Sequence, residues 1–180
     1  MAGFAKAILI TILAAAAIIL LFNLAFFFPW YMEIIQTTFQ ASQMIATDNY
    51  LTWENYDDLL NNAEHGLKNK PIFKERAGAV KIEAVHANGK DAIERGGPHD
   101  VNTDYYPLER EEDKPYVQMG NLVTIEISAN YPFRMQMFGE PVVLSDIPIT
   151  FSMTTSTTHH YKDLPYDFGV LGETLDDYDD

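Results

Sequence analysis

The segment from Ala7 to Trp30 constrains the fold of this chain more than any other feature. Its sequence is AILITILAAAAIILLFNLAFFFPW, in which only Thr11 and Asn23 are polar and no residue is charged. A bilayer core about 30 Å thick requires about 20 apolar residues at 1.5 Å rise each. Ala7 to Phe28 supplies 22 residues. The segment is therefore predicted to be a helix that crosses a membrane.

The flanks of this segment predict that it is retained and how it is oriented. Its apolar core is longer than the roughly 7–15 residues of a secretory signal, and no small-residue cleavage site follows it. The aromatic residues from Phe26 to Tyr31 predict an interfacial belt at its outer end. Lys6 is the only charged side chain before it. The positive-inside tendency then places the N-terminus in the cytoplasm and exports the rest.

The length, net charge and cysteine content of the chain limit which kinds of partner and compartment suit its exported part. About 150 residues follow the segment, enough for a single domain with its own core. The chain has a net charge of −14, which disfavours a nucleic-acid partner because phosphates would be repelled. It contains no cysteine and no Asn-x-Ser/Thr acceptor. These absences together suit a bacterial or archaeal surface better than a eukaryotic secretory route.

The helical pattern continues beyond the apolar segment. Apolar residues recur at three-to-four spacing from Ile34 to Ile45 with glutamines on the opposite side, which predicts one amphipathic extension to about residue 46. Pro29 lacks the N–H that a helix interior needs and clashes with the preceding turn. We therefore expect a kink or an unwound turn near residues 25–29.

A short second helix and a small sheet are predicted after the long helix. Thr52 is suited to cap the second helix and Gly66 to end it. A twofold alternation begins at Val80, and Asn88-Gly89 is a strong hairpin-turn signal. Two half-buried antiparallel strands are predicted over 123–129 and 147–153, joined by a connection through residues 131–144.

These elements predict an α+β fold: a long transmembrane helix with a kink, a short second helix and a small antiparallel sheet. The predicted parts are a short cytoplasmic N-terminus (1–6), a transmembrane helix (7–30), an amphipathic helical extension and second helix (31–66), a β-rich extracellular head (67–163) and an acidic tail (164–180). The apolar faces of the strands need a cover, and the amphipathic part of the long helix can supply it.

The apolar helix, its amphipathic continuation and the strand pair VTIEISANYPFRM and VVLSDIPITFSMTTS together resemble the TadE-type pilin-like proteins of tight-adherence and conjugation-associated systems. The resemblance covers roughly residues 4–50 and 121–156. It implies a subunit held in the membrane before assembly and buried in a filament core afterwards, with partners in a pilus assembly machinery.

The first residues allow two interpretations. The Gly3-Phe4 junction ahead of an apolar helix resembles the cleavage site of type IV pilin precursors, and the alternative is an ordinary short tail on a signal anchor. After such a cut, Ile8 would stand where most pilins carry a glutamate that pairs with a neighbour. Register in a filament would then depend on Lys6, Thr11, Asn23 or packing alone.

The apolar helix provides the predicted polymerisation surface. Apolar helices can exchange lipid for identical neighbours at little hydrophobic cost, and small residues let helices approach closely. The residues assigned to this surface are Ala7, Ile8, Ile12, Ala15, Ile19, Asn23 and Phe27. For Asn23 the alternative is a side chain bonded to a backbone carbonyl.

A calcium site is one interpretation of the acidic loop that follows Arg95. Asp100, Asn102, Asp104 and Glu111 occupy the first, third, fifth and twelfth places of a calcium-loop spacing. Tyr105 stands where that loop requires glycine for its turn. The alternative is a solvated acidic loop without a metal, and no other cofactor is predicted.

The sequence carries no catalytic apparatus that we recognise, since it has no cysteine and no Gly-x-Ser-x-Gly motif. We therefore expect a structural protein and not an enzyme. The first hypothesis is the subunit of an extracellular filament for adhesion or cell contact, a homo-oligomer that begins as a membrane-anchored precursor. The second is a single-span scaffold of a conjugation or secretion machine.

Overall fold

The structure is a computed structural model that describes residues 2–95, 114–135 and 142–162. It confirms the α+β layout, with a long apolar N-terminal helix and a three-stranded antiparallel sheet. The elements are helix α1 (Ala2–Asp48), helix α2 (Trp53–Asn61), two 3₁₀ helices (Leu67–Asn69 and Lys74–Ala79) and strands β1 (Lys81–His86), β2 (Leu122–Met135) and β3 (Val142–Ser156). The proposed calcium ligands and the acidic tail lie outside the described residues.

Helix α1 is continuous over 47 residues, with Pro29 inside it. The predicted unwound turn near residues 25–29 is therefore wrong, although a bend of the axis at Pro29 stays a prediction. Proline removes one hydrogen bond from a helix interior. Residues on both sides of Pro29 are nevertheless helical. From Trp30 onward the helix also packs against the head, which supports its conformation.

Helix α2 begins as predicted and ends earlier. The Thr52 side chain accepts a hydrogen bond from the Asn55 N–H at 3.3 Å, which confirms the N-cap. The helix ends at Asn61 and not near Gly66. Gly66 instead lies against the backbone that follows α2, where a Cβ would approach the Asn62 nitrogen to 2.3 Å. Only glycine fits this close approach.

The sheet has β2 at its centre, antiparallel to β1 on one side and to β3 on the other. Alternate residues of β1 are buried, as the sequence predicts, and Gly89 has the positive φ of the expected turn after this strand. The β2–β3 pair is longer than predicted, because β2 extends to Met135 and β3 begins at Val142. Most of the predicted connection is therefore strand.

The core lies between the second half of α1 and one face of the sheet. Helix α1 contributes Trp30, Ile34, Ala41 and Ile45 to this core, and β2 contributes Val123, Ile125, Ile127, Ala129 and Tyr131. Strand β3 is an edge strand whose inward side chains, such as Phe151, are only half-buried. The amphipathic part of α1 thus covers the sheet as the sequence predicts, and it fixes the head along the helix.

Candidate functional site

The first half of α1 projects beyond the head as an exposed apolar helix. The large side chains there are open to the surroundings, with 76% of Phe4 and 70% of Leu13 exposed. The helix is long and apolar enough to cross a membrane. A contiguous apolar surface of this size is not stable in water and marks contact with a membrane or a partner. The structure therefore indicates membrane anchoring.

The predicted polymerisation residues divide into two groups. Ala7, Ile8 and Ile12 are exposed, while Ala15 and Ile19 are partly buried. Asn23 is only 7% exposed, and Phe27 packs edge-on against Tyr131 with ring centroids 5.1 Å apart. Asn23 and Phe27 thus lie in the junction between α1 and the head, and a role of the seven residues in polymerisation stays a prediction.

The Asn23 side chain connects α1 to the end of the β2–β3 pair that contains Arg134. Its side-chain amide donates to the Arg134 carbonyl at 2.7 Å, and its side-chain oxygen accepts from the Arg134 N–H at 2.9 Å. These bonds form where the register of β2 against β3 shifts, between Phe133 and Arg134. Such an irregularity leaves backbone groups free for another partner. The Tyr131 hydroxyl adds a bond to the Asn23 carbonyl at 2.7 Å.

Burial raises the pKa of the Tyr131 hydroxyl, so this group keeps its proton and remains a donor to Asn23. Asn23 also donates to the Ile19 carbonyl of its own helix at 2.9 Å. The alternative interpretation of Asn23, a side chain bonded to backbone carbonyls, is thereby confirmed. Its polar atoms are satisfied within one chain.

Asn49 fastens the other end of α1 in the same way. Its amide donates to the carbonyls of Val117 at 2.8 Å and His159 at 2.6 Å, and its oxygen accepts from the His159 N–H at 2.8 Å. Asn49 is fully buried and has a φ of 67°. Twenty-six residues separate it from Asn23, which is about 39 Å of helix. The head is therefore attached to α1 at both ends of the helix segment between Asn23 and Asn49.

Aromatic side chains fill the junction just above Asn23. Trp30 is 2% exposed and packs against Phe73 and Tyr131, with ring centroids 5.2 Å apart in each case. The prediction that Trp30 belongs to an interfacial belt was wrong, because the head covers this residue. Phe26 and Phe28, at 68% and 64% exposure, remain free to meet a membrane interface.

A network of ion pairs surrounds the junction on the outside of the head. Arg134 pairs with Glu75, and the Arg76 Nε donates to Asp146 at 2.9 Å. Lys70 pairs with Glu33 of α1 nearby. Exposed pairs contribute at most about 1 kcal/mol each to stability. These charged groups also keep the junction outside the hydrocarbon core of a membrane, because a charged group enters that core only at a large cost in free energy.

The junction sets the upper limit of the membrane-crossing part of α1. Between Lys6 and Asn23 lie the 16 uncharged residues Ala7 to Phe22, or about 24 Å of helix, and the long side chain of Lys6 can reach the headgroups on the opposite side. The predicted span ended at Trp30, about two turns higher. The span that the head leaves free is therefore shifted toward the N-terminus.

The remaining predicted sites have mixed outcomes. Gly3 and Phe4 lie in the exposed start of α1, where cleavage stays a prediction. The calcium ligands Asp100, Asn102, Asp104 and Glu111 lie outside the described residues, so this site also stays a prediction. Within the described residues, no group of three histidine or carboxylate side chains is placed to hold a metal.

Sequence analysis missed Asn49, Tyr131 and Arg134 as junction residues. A signal existed for Asn49, because asparagine just past the end of a helix often adopts the left-handed conformation. No local pattern marks Tyr131 or Arg134, whose roles depend on a strand being long enough to reach residue 23 of the helix.

No family model, curated protein or solved structure matches this chain. The likeness to TadE-type pilin-like proteins therefore still depends on the apolar helix and the strand pair of the sequence. Any function must be argued from the exposed helix and from its junction with the head.

Proposed function

We propose that this protein is a structural subunit of an extracellular, type IV pilin-like filament of the TadE kind, which polymerises through the first half of α1. The subunit would wait in the membrane as an anchored precursor, be handed to a pilus assembly machinery and present its head on the cell surface. The filament would serve adhesion or contact with other cells.

The observation that carries this proposal is an apolar helix joined without a break to a folded head. Residues 3–22 lie outside the head, and α1 continues from them into the core. In a bilayer, lipid covers these residues. Outside it, the helices of neighbouring subunits are the apolar cover that identical copies can provide, and the exchange has little hydrophobic cost.

The polar side chains Thr11 and Asn23 are already hydrogen-bonded within the chain, so contacts between helices of different subunits would depend mainly on packing. The Thr11 hydroxyl donates to the Ala7 carbonyl at 3.0 Å within its own helix, and Asn23 is occupied by the head. Lys6 or shape alone is left to set register between subunits. Ala14 to Ala17 supply small side chains at which helices can approach closely.

The second candidate function is a single-span scaffold in a conjugation or secretion machine. One observation favours it: the exposed part of α1 belongs to a helix that is long and apolar enough to cross a membrane once. Such a scaffold would stay in the membrane as a monomer or as a closed oligomer of fixed size.

Cysteine cross-linking distinguishes the two, because the chain has no cysteine of its own. We would introduce Ile8→Cys and Leu20→Cys together, at positions 45% and 62% exposed, and oxidise cells and sheared surface material. A filament gives a long ladder of cross-linked species in the sheared fraction. Ile8→Cys alone is the control, since one cysteine per subunit can join only pairs.

A ladder that stops at one small oligomer, found only in membranes, would favour the scaffold and contradict the filament. Ala15→Leu provides an independent test, because added bulk hinders close helix packing while the helix stays apolar enough to insert. The filament proposal expects Ala15→Leu to insert normally and to lower the filament yield. The matched control Leu13→Ile exchanges one large apolar residue for another and should leave the yield unchanged.

A further inference from the structure

An apolar groove lies between α1 and the membrane-proximal end of the head. It has a volume of about 550 Å³, within the range of small-molecule sites. Its lining includes Ile19, Phe22, Phe26 and Pro29 of α1, and Ile72 and Pro132 of the head. Ile72 is 41% exposed at the rim, although it is a large apolar residue.

Among the residues that the structure describes, Arg134 is the charged one that lines this apolar groove. One of its guanidinium nitrogens pairs with Glu75, and the side chain remains 37% exposed. A guanidinium group carries five N–H donors, so a single carboxylate oxygen leaves others for a ligand. Arginine matches phosphate geometry well because it can donate two parallel hydrogen bonds. The groove thus combines apolar walls with a donor for an anion.

The head segment that contributes Ile72 to the groove is basic although the chain is acidic. Residues 68–76 carry four of the 12 basic residues, Lys68, Lys70, Lys74 and Arg76, and one acidic residue, Glu75, in a chain of net charge −14. Lys68 and Lys74 form no ion pair within the part of the chain that the structure describes. Because Lys70, Arg76 and Arg134 pair with Glu33, Asp146 and Glu75, the excess positive charge of this segment comes from Lys68 and Lys74, and it complements an anionic surface.

The depth of the groove follows from the junction. Because Arg134 is bonded through its backbone to Asn23, it lies next to the residue at which the free part of α1 ends. When this free part fills the hydrocarbon core, Ile19 and Phe22 lie within it and Arg134 lies at the headgroup layer. The part of the groove lined by Ile19 and Phe22 then opens toward acyl chains, and Arg134 faces the phosphates.

We propose that this groove binds one anionic phospholipid of the outer leaflet, with an acyl chain along α1 and the phosphate at Arg134. The site is thus a lipid-binding site, additional to the filament function and independent of it. A bound lipid would cover the exposed side of the junction and hold the head at a fixed height above the bilayer.

The helix of a second copy fits this site less well. The first 32 residues of the chain contain no Asp or Glu, and their one charged side chain is Lys6. A neighbouring apolar helix could cover Phe22 and Phe26 but would bring no anion to Arg134. A phospholipid supplies both the apolar chain and the anion, so charge complementarity selects it.

The test uses the full chain reconstituted in vesicles of phosphatidylcholine with a minor fraction of phosphatidylglycerol. After extraction in mild detergent, native mass spectrometry counts the retained lipids and identifies their headgroups. We expect about one retained phospholipid per chain, with phosphatidylglycerol enriched severalfold over its share in the vesicles.

Two variants address the two parts of the site, each with a matched control. Arg134→Gln should lower the phosphatidylglycerol enrichment to its vesicle share, while the backbone bonds of residue 134 to Asn23 persist; Lys90→Gln removes a cation beyond the other end of β1 and should change nothing. Ile72→Trp should fill the groove and abolish lipid retention. Val85→Trp, at a residue with similar exposure of 42%, should not.

Thermal melting of each variant confirms that the head is folded before lipid is counted. Absence of retained lipid in the unchanged protein, or equal retention in all four variants, would overturn the proposal. If an Ile72→Cys, Ile12→Cys double variant cross-links between copies while no lipid is retained, the groove belongs to a neighbouring helix. Failure of filament formation leaves the lipid count unaffected, so the two proposals fail separately.

Discussion

The two halves of α1 share one continuous helix and differ in what surrounds it. In the membrane-proximal half, Leu9, Leu13 and Leu20 are at least 62% exposed. In the head-facing half, Trp30, Ile34 and Ile45 are at most 2% exposed. The first half is apolar on all sides, whereas the second buries one stripe against the sheet. One continuous helix therefore passes from a lipid environment into a protein core, and the two environments favour different side-chain patterns.

Polar residues show the same division. In the head-facing half, the buried hydroxyls of Thr38 and Ser42 bond to the carbonyls of Ile34 and Phe39 at 2.8 Å, so they approach the sheet without an unmet hydrogen bond. In the other half, Thr11 bonds to its own helix, where lipid offers no partner. Asn23, at the border, is the first residue whose polar atoms bond to the head. The border between the two environments therefore lies at one residue.

The largest expected effect comes from removing the aromatic residue that anchors the head-facing half. Trp30→Ala should lower the free energy of unfolding of the head by about 3–5 kcal/mol, because it leaves a cavity among buried rings. Phe28→Ala changes a neighbour that is 64% exposed and should leave head stability nearly unchanged. Thermal or chemical unfolding of the full chain in detergent, followed by circular dichroism, measures both. Equal effects would contradict the division of α1.

The second prediction concerns the fastening at the far end of the head. Asn49→Ala should cost about 2–4 kcal/mol, because it leaves buried backbone groups of Val117 and His159 unpaired and strains a residue with φ of 67°. Asn49→Gly tolerates this φ and isolates the hydrogen bonds, so it should cost less. If the glycine variant is as stable as the unchanged protein, these bonds do not fasten the head.

Sequence patterns predicted the elements whose signals are local. The length of the apolar run gave the membrane helix, Thr52 gave the start of α2, and alternation around Ile82, Ile125 and Phe151 gave the sheet. These features depend on a period or a cap within a few residues of chain. Local signals therefore suffice for the class and order of the elements.

The junction could not be predicted, because it depends on contacts more than 100 residues apart in sequence. Asn23 meets Arg134 only because β2 continues to Met135, beyond the alternation that marks its first part. Trp30 looks like an interfacial aromatic until Phe73 and Tyr131 are known to cover it. Tertiary packing decided these cases, and no local pattern encodes it.

The third prediction tests the border between the two halves. Asn23→Ala should cost about 1–3 kcal/mol, because the N–H and C=O of Arg134 lose their partner in a partly buried place. Hydrogen exchange should show faster exchange of the Arg134 amide with little change near Asn49. Thr11→Ala is the control within the membrane-proximal half, and it should affect neither measurement. If the exchange rate of the Arg134 amide is unchanged in Asn23→Ala, the border between the two halves of α1 does not lie at Asn23.

The smallest expected effect concerns His86, at the end of the head far from the membrane. We expect the stability of the head to depend on pH there, while membrane retention of α1 does not. His86 is buried, its Nε2 lies 3.1 Å from the Pro115 carbonyl, and its Nδ1 has no partner among the described residues. Burial lowers the pKa of His86, against smaller opposing effects of the Pro115 carbonyl and Asp91. The folded protein therefore binds fewer protons at this site than the unfolded chain, whose histidines titrate near pH 6.5.

The stabilisation that neutral His86 provides is thus complete above about pH 6.5 and is lost as the pH falls through the lowered pKa of the folded state. For one proton the slope is at most about 1.4 kcal/mol per pH unit. His86→Gln should flatten the pH dependence of head unfolding in this range. Residues 3–22 contain no titratable side chain except Lys6, so membrane retention should stay constant across the same range. If retention and head stability fall together, the head and the membrane-proximal half of α1 do not respond independently.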